Sequence, residues 1–239
     1  MVAGGRAVAS HGLHITLMTA EALLIAPGLV LMLIRRVPLV SGLALRPVST
    51  PAALLALLAG ATLWAASLGL MNVQFVIWPP PPEFLDSFRA LHEALRPRSV
   101  GEAVLSVAAI AMMPALCEEM LFRGIVLPSL QRWGTASALF GSAMMFALIH
   151  VDAVGTSPAF YRLPFAFAVG LGLAALRLTT GSLIPAIAAH AVLNTITFAT
   201  VFLSGAASEA VDEPQALSGT LLLLGGAAAS AGIFRALRR

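Results

Sequence analysis

Seven stretches of this chain are apolar enough to be read as membrane spans: roughly 13–34, 52–78, 101–127, 135–150, 159–178, 182–204 and 215–235. A helix needs about 20 apolar residues to cross about 30 Å of hydrocarbon. In that medium only helices and closed barrels satisfy their own backbone polar groups. The pattern predicts an all-α, polytopic transmembrane bundle that uses residues 1–239 as a single membrane domain. The fourth stretch, at about 16 residues, falls short of a full span. It is expected to tilt, to extend or to insert only in part.

Composition points to the same solvent. Only 10% of the residues are charged and 59% are hydrophobic, against roughly 25% charged residues in a soluble domain. That leaves too little polar surface to cover a water-soluble globule. All 14 basic residues are arginine and they are scattered, so no basic patch for nucleic acid is present. An arginine-only chain points to a GC-rich bacterial genome, and hence to the bacterial inner membrane. A single cysteine, Cys117, rules out an intrachain disulfide and says nothing about compartment. The first apolar stretch is too long for a cleavable signal, and Glu21 interrupts it.

Arginine placement orients the bundle. Arg35, Arg36, Arg46, Arg132, Arg177, Arg235, Arg238 and Arg239 all fall on one side of a seven-span arrangement, which is assigned to the cytoplasm. The C-terminus is then cytoplasmic. The acidic segment with Glu209, Asp212 and Glu213 lies on the other side, as does the loop 79–100. Within that loop, Pro79 to Pro82 stop the second span. Phe84, Phe88, Leu91 and Leu95 then recur at helical spacing. They predict a short amphipathic helix, lying either in the membrane interface or against the bundle.

The polar residues inside the spans carry the chemistry. Glu118 and Glu119 sit side by side in the third span, and each acid near the bilayer centre costs about 2.5–3.5 kcal/mol on insertion scales. Glu119 and Arg123 are four residues apart on one helix face and can pair. Glu118 is rotated about 100° away and lacks that partner. The spacing therefore reads Glu119–Arg123 as a structural ion pair and leaves Glu118 for acid–base work. His150 ends the fourth span, one turn after Phe146, which is expected to pack beside the site. His190 and Asn194 share a face of the sixth. At about 1.5 Å per residue, Glu118 and His150 lie roughly 20 Å from the cytoplasmic ends of their helices. Asn194 lies nearly as deep and His190 roughly 12 Å, which allows one shared cavity. Cys117 reads as an inert small hydrophobe, and Asp152 as a cap on the exit of the fourth span. Gly170 and Gly172 suit close helix packing.

Glu-Glu-x-x-x-Arg, then Phe-x-x-x-His, then His-x-x-x-Asn, on successive spans, resembles the CPBP family. These are the CAAX-protease and bacteriocin-processing intramembrane endopeptidases, also called the ABI family, which include the Ras-converting CAAX endopeptidase. The resemblance covers about residues 100–200 and marks them as the catalytic core. It implies that Glu118 is the general base that activates water, assisted by His150. It further implies that His190 and Asn194 stabilise the oxyanion, while Glu119 and Arg123 hold the architecture. No cofactor is expected on this reading. Glu118, His150 and His190 are nonetheless residue types that can hold a catalytic zinc with an open fourth position, and zinc is the alternative. The implied partners are the lipid bilayer and a membrane-anchored protein or peptide substrate, with a sorting tail or processed peptide preferred. Two other functions compete: a non-catalytic scaffold or chaperone, and a proton-coupled transporter. The transporter is disfavoured because the chain shows no internal repeat.

Overall fold

The computed structural model describes the backbone of residues 2–154, 157–202 and 216–238, and the side chains of 12–151, 160–200 and 218–238. The acidic residues Glu209, Asp212 and Glu213, and the side chain of Asp152, lie outside the described residues. The architecture is helical. In chain order it runs α1 (Val2–Ile34), the single turn α2 (Leu39–Gly42), α3 (Thr50–Ile77), α4 (Pro82–Leu95), α5 (Val100–Trp133), α6 (Thr135–Leu148), α7 (Leu163–Thr180), α8 (Ile184–Phe202) and α9 (Ala216–Leu237). A small antiparallel hairpin, β1 (Asp152–Val154) with β2 (Ser157–Ala159), joins α6 to α7.

Among the described residues, five helical segments are long and apolar enough to cross a membrane: Gly12–Ile34, Thr50–Ile77, Val100–Trp133, Leu163–Thr180 and Ser218–Leu237. Thr135–Leu148 and Ile184–Thr200 are apolar but shorter. They correspond to the fourth and sixth stretches expected from sequence. The fifth stretch begins later than its hydropathy suggested. Residues 157–159 pair in the hairpin, and α7 starts only at Leu163, with Pro164 in its first turn, where a missing N–H costs nothing. Helix α4 lies against the bundle. It buries Phe84 and Leu95 and stacks Phe84 on Tyr161 at 5.1 Å between ring centroids, while Asp86, Arg89 and Glu93 stay exposed. Burial pushes the His92 imidazole on this helix below its ordinary range.

Helix α5 is the axis on which the site is built, and it is not a regular α-helix. Two π-helical segments, Ala108–Met112 and Met120–Val126, bracket the α-helical turns that carry Glu118 and Glu119. Pro114, in the first turn after the first π segment, has no N–H to offer the ladder. In the second, the Leu127 N–H reaches back five residues to the Phe122 carbonyl, the π-helical pattern. Ser142 on α6 donates its hydroxyl to the Phe122 carbonyl at 2.9 Å, with Ser142 fully buried.

Small residues set the helix spacing around this axis. Gly170 of α7 rests on the backbone of Ala143 in α6, and Gly172 faces Leu63 of α3. Gly60 of α3 lies against α8, where an added Cβ would fall 2.3 Å from the Ala189 carbonyl oxygen. Backbone cannot yield as a side chain can. Gly60→Ala should therefore push α8 away from α3, lowering stability by about 1–3 kcal/mol and displacing the neighbouring His190. Thermal melts in lipid nanodiscs check this, and an unchanged Tm would contradict it. The start of α8 is pinned from the other end. The Leu183 N–H donates to the Ala44 carbonyl at 2.9 Å, and Ser182 Oγ donates to the Arg46 carbonyl at 2.6 Å.

Candidate active site

Four helices converge on a core of Phe122, Phe146, Leu173 and Leu193, and the polar residues of the three motifs are set into it. Glu119 and Arg123 pair at 2.7 Å, both fully buried. Arg123 also donates Nη2 to the Gly170 carbonyl at 2.8 Å. The close approach of α7 to α6 at Gly170 brings that carbonyl within reach. The guanidinium lies 4.5 Å from the centroid of the Phe146 ring, so the cation meets a carboxylate, a carbonyl and a π face in an otherwise apolar setting. Such a charge is tolerated inside a protein only when paired and hydrogen-bonded.

His190 of α8 joins the pair. Its Nδ1 donates to Glu119 Oε1 at 3.1 Å, and its Nε2 lies 3.9 Å from Glu118 Oε2. Glu119 thus holds both Arg123 and the imidazole, and fixes the ring so that its second nitrogen turns towards Glu118. A carboxylate acting on the far nitrogen is the usual way to set an imidazole's orientation. Glu118 is 5% exposed, and its Oε2 has no hydrogen-bond partner among the described residues.

His150, half-buried, follows the last turn of α6. Its Nδ1 donates to the Phe146 carbonyl at 2.8 Å, a bond made one turn back along its own chain. In the neutral ring that donation makes Nε2 the acceptor nitrogen. Phe146 stacks on His150 at 4.6 Å and meets His190 edge-on at 5.8 Å. One phenyl ring therefore touches both imidazoles and Arg123.

The sequence expectations can be placed one by one. Glu118, Glu119, Arg123, Phe146 and His190 form one contact network, and His150 joins it through Phe146. Asn194 lies one turn beyond His190 and is half-buried. It makes no hydrogen bond to the cluster among the described residues. Cys117 is buried beside Glu118. Ser142 and the Gly170 carbonyl support the site but carry no motif; the sequence marked Gly170 only as a packing glycine and Ser142 not at all. For zinc, among the described residues no three His, Cys, Asp or Glu side chains gather into a group that could hold a metal ion. Glu118, His150 and His190, the residues named for zinc, do not form such a group as arranged.

Residues 100–196 match a family model described as Type II CAAX prenyl endopeptidase Rce1-like. No curated protein and no solved structure matches the chain. The matched segment opens at α5, runs through α6 and α7 and ends in α8, and it contains every residue of the three motifs. That match supports the CPBP family of CAAX-type endopeptidases, a family of peptide hydrolases, as the family of this segment.

Proposed function

We propose that this protein is a glutamate-type intramembrane endopeptidase that cleaves near the C-terminus of a membrane-anchored protein or peptide. The observation that carries the reading is the contact network around Phe146. In it a buried carboxylate with an unsatisfied oxygen, Glu118, faces an imidazole whose other nitrogen is held by a buried ion pair. Glu118 takes a proton from water, and His150 assists through its acceptor Nε2. The resulting hydroxide attacks the scissile carbonyl. His190, donating from Nε2 when the ring carries both protons, and the Asn194 amide stabilise the oxyanion. Glu118 then returns the proton to the leaving amine. Glu119 and Arg123 keep His190 in place throughout. No step passes through a metal.

The seven apolar helices are read as seven spans, counting the two shorter ones. Residues 1–239 make one membrane domain with its catalytic core at 100–200 and its C-terminus in the cytoplasm of a bacterial inner membrane. Parallel packing of α1 beside α5 agrees with this topology, since both are odd-numbered spans. His14 meets Ser106 at 2.8 Å, and fourteen residues later Gly28 meets Leu121 and Ile125. A C-terminal sorting tail or processed peptide is the preferred substrate class.

A quenched peptide with a lipidated cysteine followed by an aliphatic tail tests the reading. Purified protein in nanodiscs should cleave it after the cysteine, and chelator should leave the rate unchanged. Loss of activity together with loss of stoichiometric zinc would overturn the metal-free mechanism. Failure to cleave any membrane-anchored tail, lipidated or not, would overturn the protease reading.

A further inference from the structure

Helix α1 lies outside the segment that matches the family, yet it brings a carboxylate to the site. Its contact with the bundle is one stripe: His14, Met18, Glu21, Ile25, Gly28 and Met32 are buried or half-buried, at alternating steps of four and three residues. That is the spacing of a helix packed against a neighbour. The opposite face, with Ile15, Leu23, Val30, Leu31 and Leu33, is open to lipid. A lone acid on the packed stripe of such a helix requires a reason.

The register supplies one. His14 is level with Ser106, and Gly28 is level with Leu121 and Ile125. Glu21, midway between His14 and Gly28, therefore falls within about a turn of Glu118 on the parallel neighbour. Glu21 is close enough for its charge to act on both Cys117 and Glu118. Its Oε2, like Glu118 Oε2, is a buried atom with no hydrogen-bond partner among the described residues. The charged and titratable groups around Glu118 are then Glu21 from α1, Cys117, Glu119 and Arg123 from α5, His150 after α6, Arg162 before α7 and His190 from α8. Arg123 is already bonded to Glu119 and Gly170. None of these groups donates a hydrogen bond to the two orphaned oxygens.

We propose that Glu21 is a positioning residue for the reacting water: Glu118 takes one of its protons and Glu21 accepts a hydrogen bond from the other. This rests on Glu118 being the general base. A water has two O–H groups, and a base that engages one leaves the molecule free to rotate about that bond. A second acceptor on a facing helix fixes it, turning the oxygen lone pair towards the scissile carbonyl. Such orientation is worth up to about 10²-fold in rate for an ångström of misplacement. Both buried oxygens then gain the donor that buried polar atoms require.

The test compares Glu21→Leu, Glu21→Gln and Glu118→Gln with wild type, in nanodiscs, on the quenched lipidated peptide. Glu21→Leu should lower kcat about 10²-fold, leave KM within about twofold, and raise Tm, because it removes a polar group from an apolar helix face. A rise in Tm alongside a loss of kcat separates positioning from folding. Glu21→Gln keeps an acceptor oxygen and should recover most of kcat. Wild-type kcat in Glu21→Leu, or a glutamine variant as slow as the leucine variant, would overturn the assignment. Glu118→Gln separates the two claims: wild-type activity in that variant would overturn the base assignment itself, whatever the Glu21 variants show.

Discussion

Glu118→Gln should abolish peptide hydrolysis, lowering kcat by about 10³-fold or more, with Tm no lower than wild type. The reasons lie in what the side chain touches. Glu118 is 5% exposed, its Oε2 is unsatisfied, and across the helix interface His190 lies 3.9 Å away. It takes no part in the Glu119–Arg123 ion pair or the Gly170 contact. A glutamine keeps the volume and removes only the capacity to accept a proton. The rate should therefore collapse while the fold is kept. Circular dichroism and melting in nanodiscs beside the cleavage assay separate the two. Loss of the folded state in Glu118→Gln would show that the residue holds architecture instead.

Arg123→Met should do the opposite, costing stability first. It strips the guanidinium from a fully buried carboxylate and takes a donor away from the Gly170 carbonyl. Removing one partner of a buried ion pair costs about 3–5 kcal/mol, which in a chain of this size lowers Tm by about 10 °C. Replacing both partners, as in Glu119→Leu/Arg123→Met, should recover much of that loss, because an apolar pair of similar volume has no uncompensated charge. Activity should not return with it. His190 Nδ1 donates to Glu119 Oε1, and without that acceptor the imidazole loses its fixed orientation. A double variant that is both stable and active would refute the positioning role given to Glu119.

Which of these relations the sequence could reveal follows from their range. The Glu119–Arg123 pair was legible because both residues lie on one helix, four apart, and that spacing survives even though Met120–Val126 is π-helical. Helix membership of Glu118, His150 and His190 was legible from the apolar runs that carry them. The bond from His190 to Glu119 was not, because it crosses from α8 to α5 and depends on how close those helices come. Gly60 against Ala189 and Gly170 against Ala143 set those distances, and a glycine in an apolar run does not announce its neighbour. The late start of α7 was missed because Pro158, Ala159 and Phe160 are apolar and lead towards the span, and hydropathy cannot tell a strand from a span. Glu21 was visible only as an interruption. Its meaning lies in the parallel register of α1 on α5, fixed by His14 with Ser106 and by Gly28 with Ile125, contacts between positions about a hundred residues apart.

The central claim, that Glu118 is the base of a membrane peptidase, is tested most directly by comparing the C-termini of membrane proteins, by mass spectrometry, in cells carrying wild type or Glu118→Gln. The account predicts a small set of proteins or peptides with trimmed C-termini in the wild type and intact ones in the variant, at equal levels of the two proteins. Identical C-terminal profiles would contradict it.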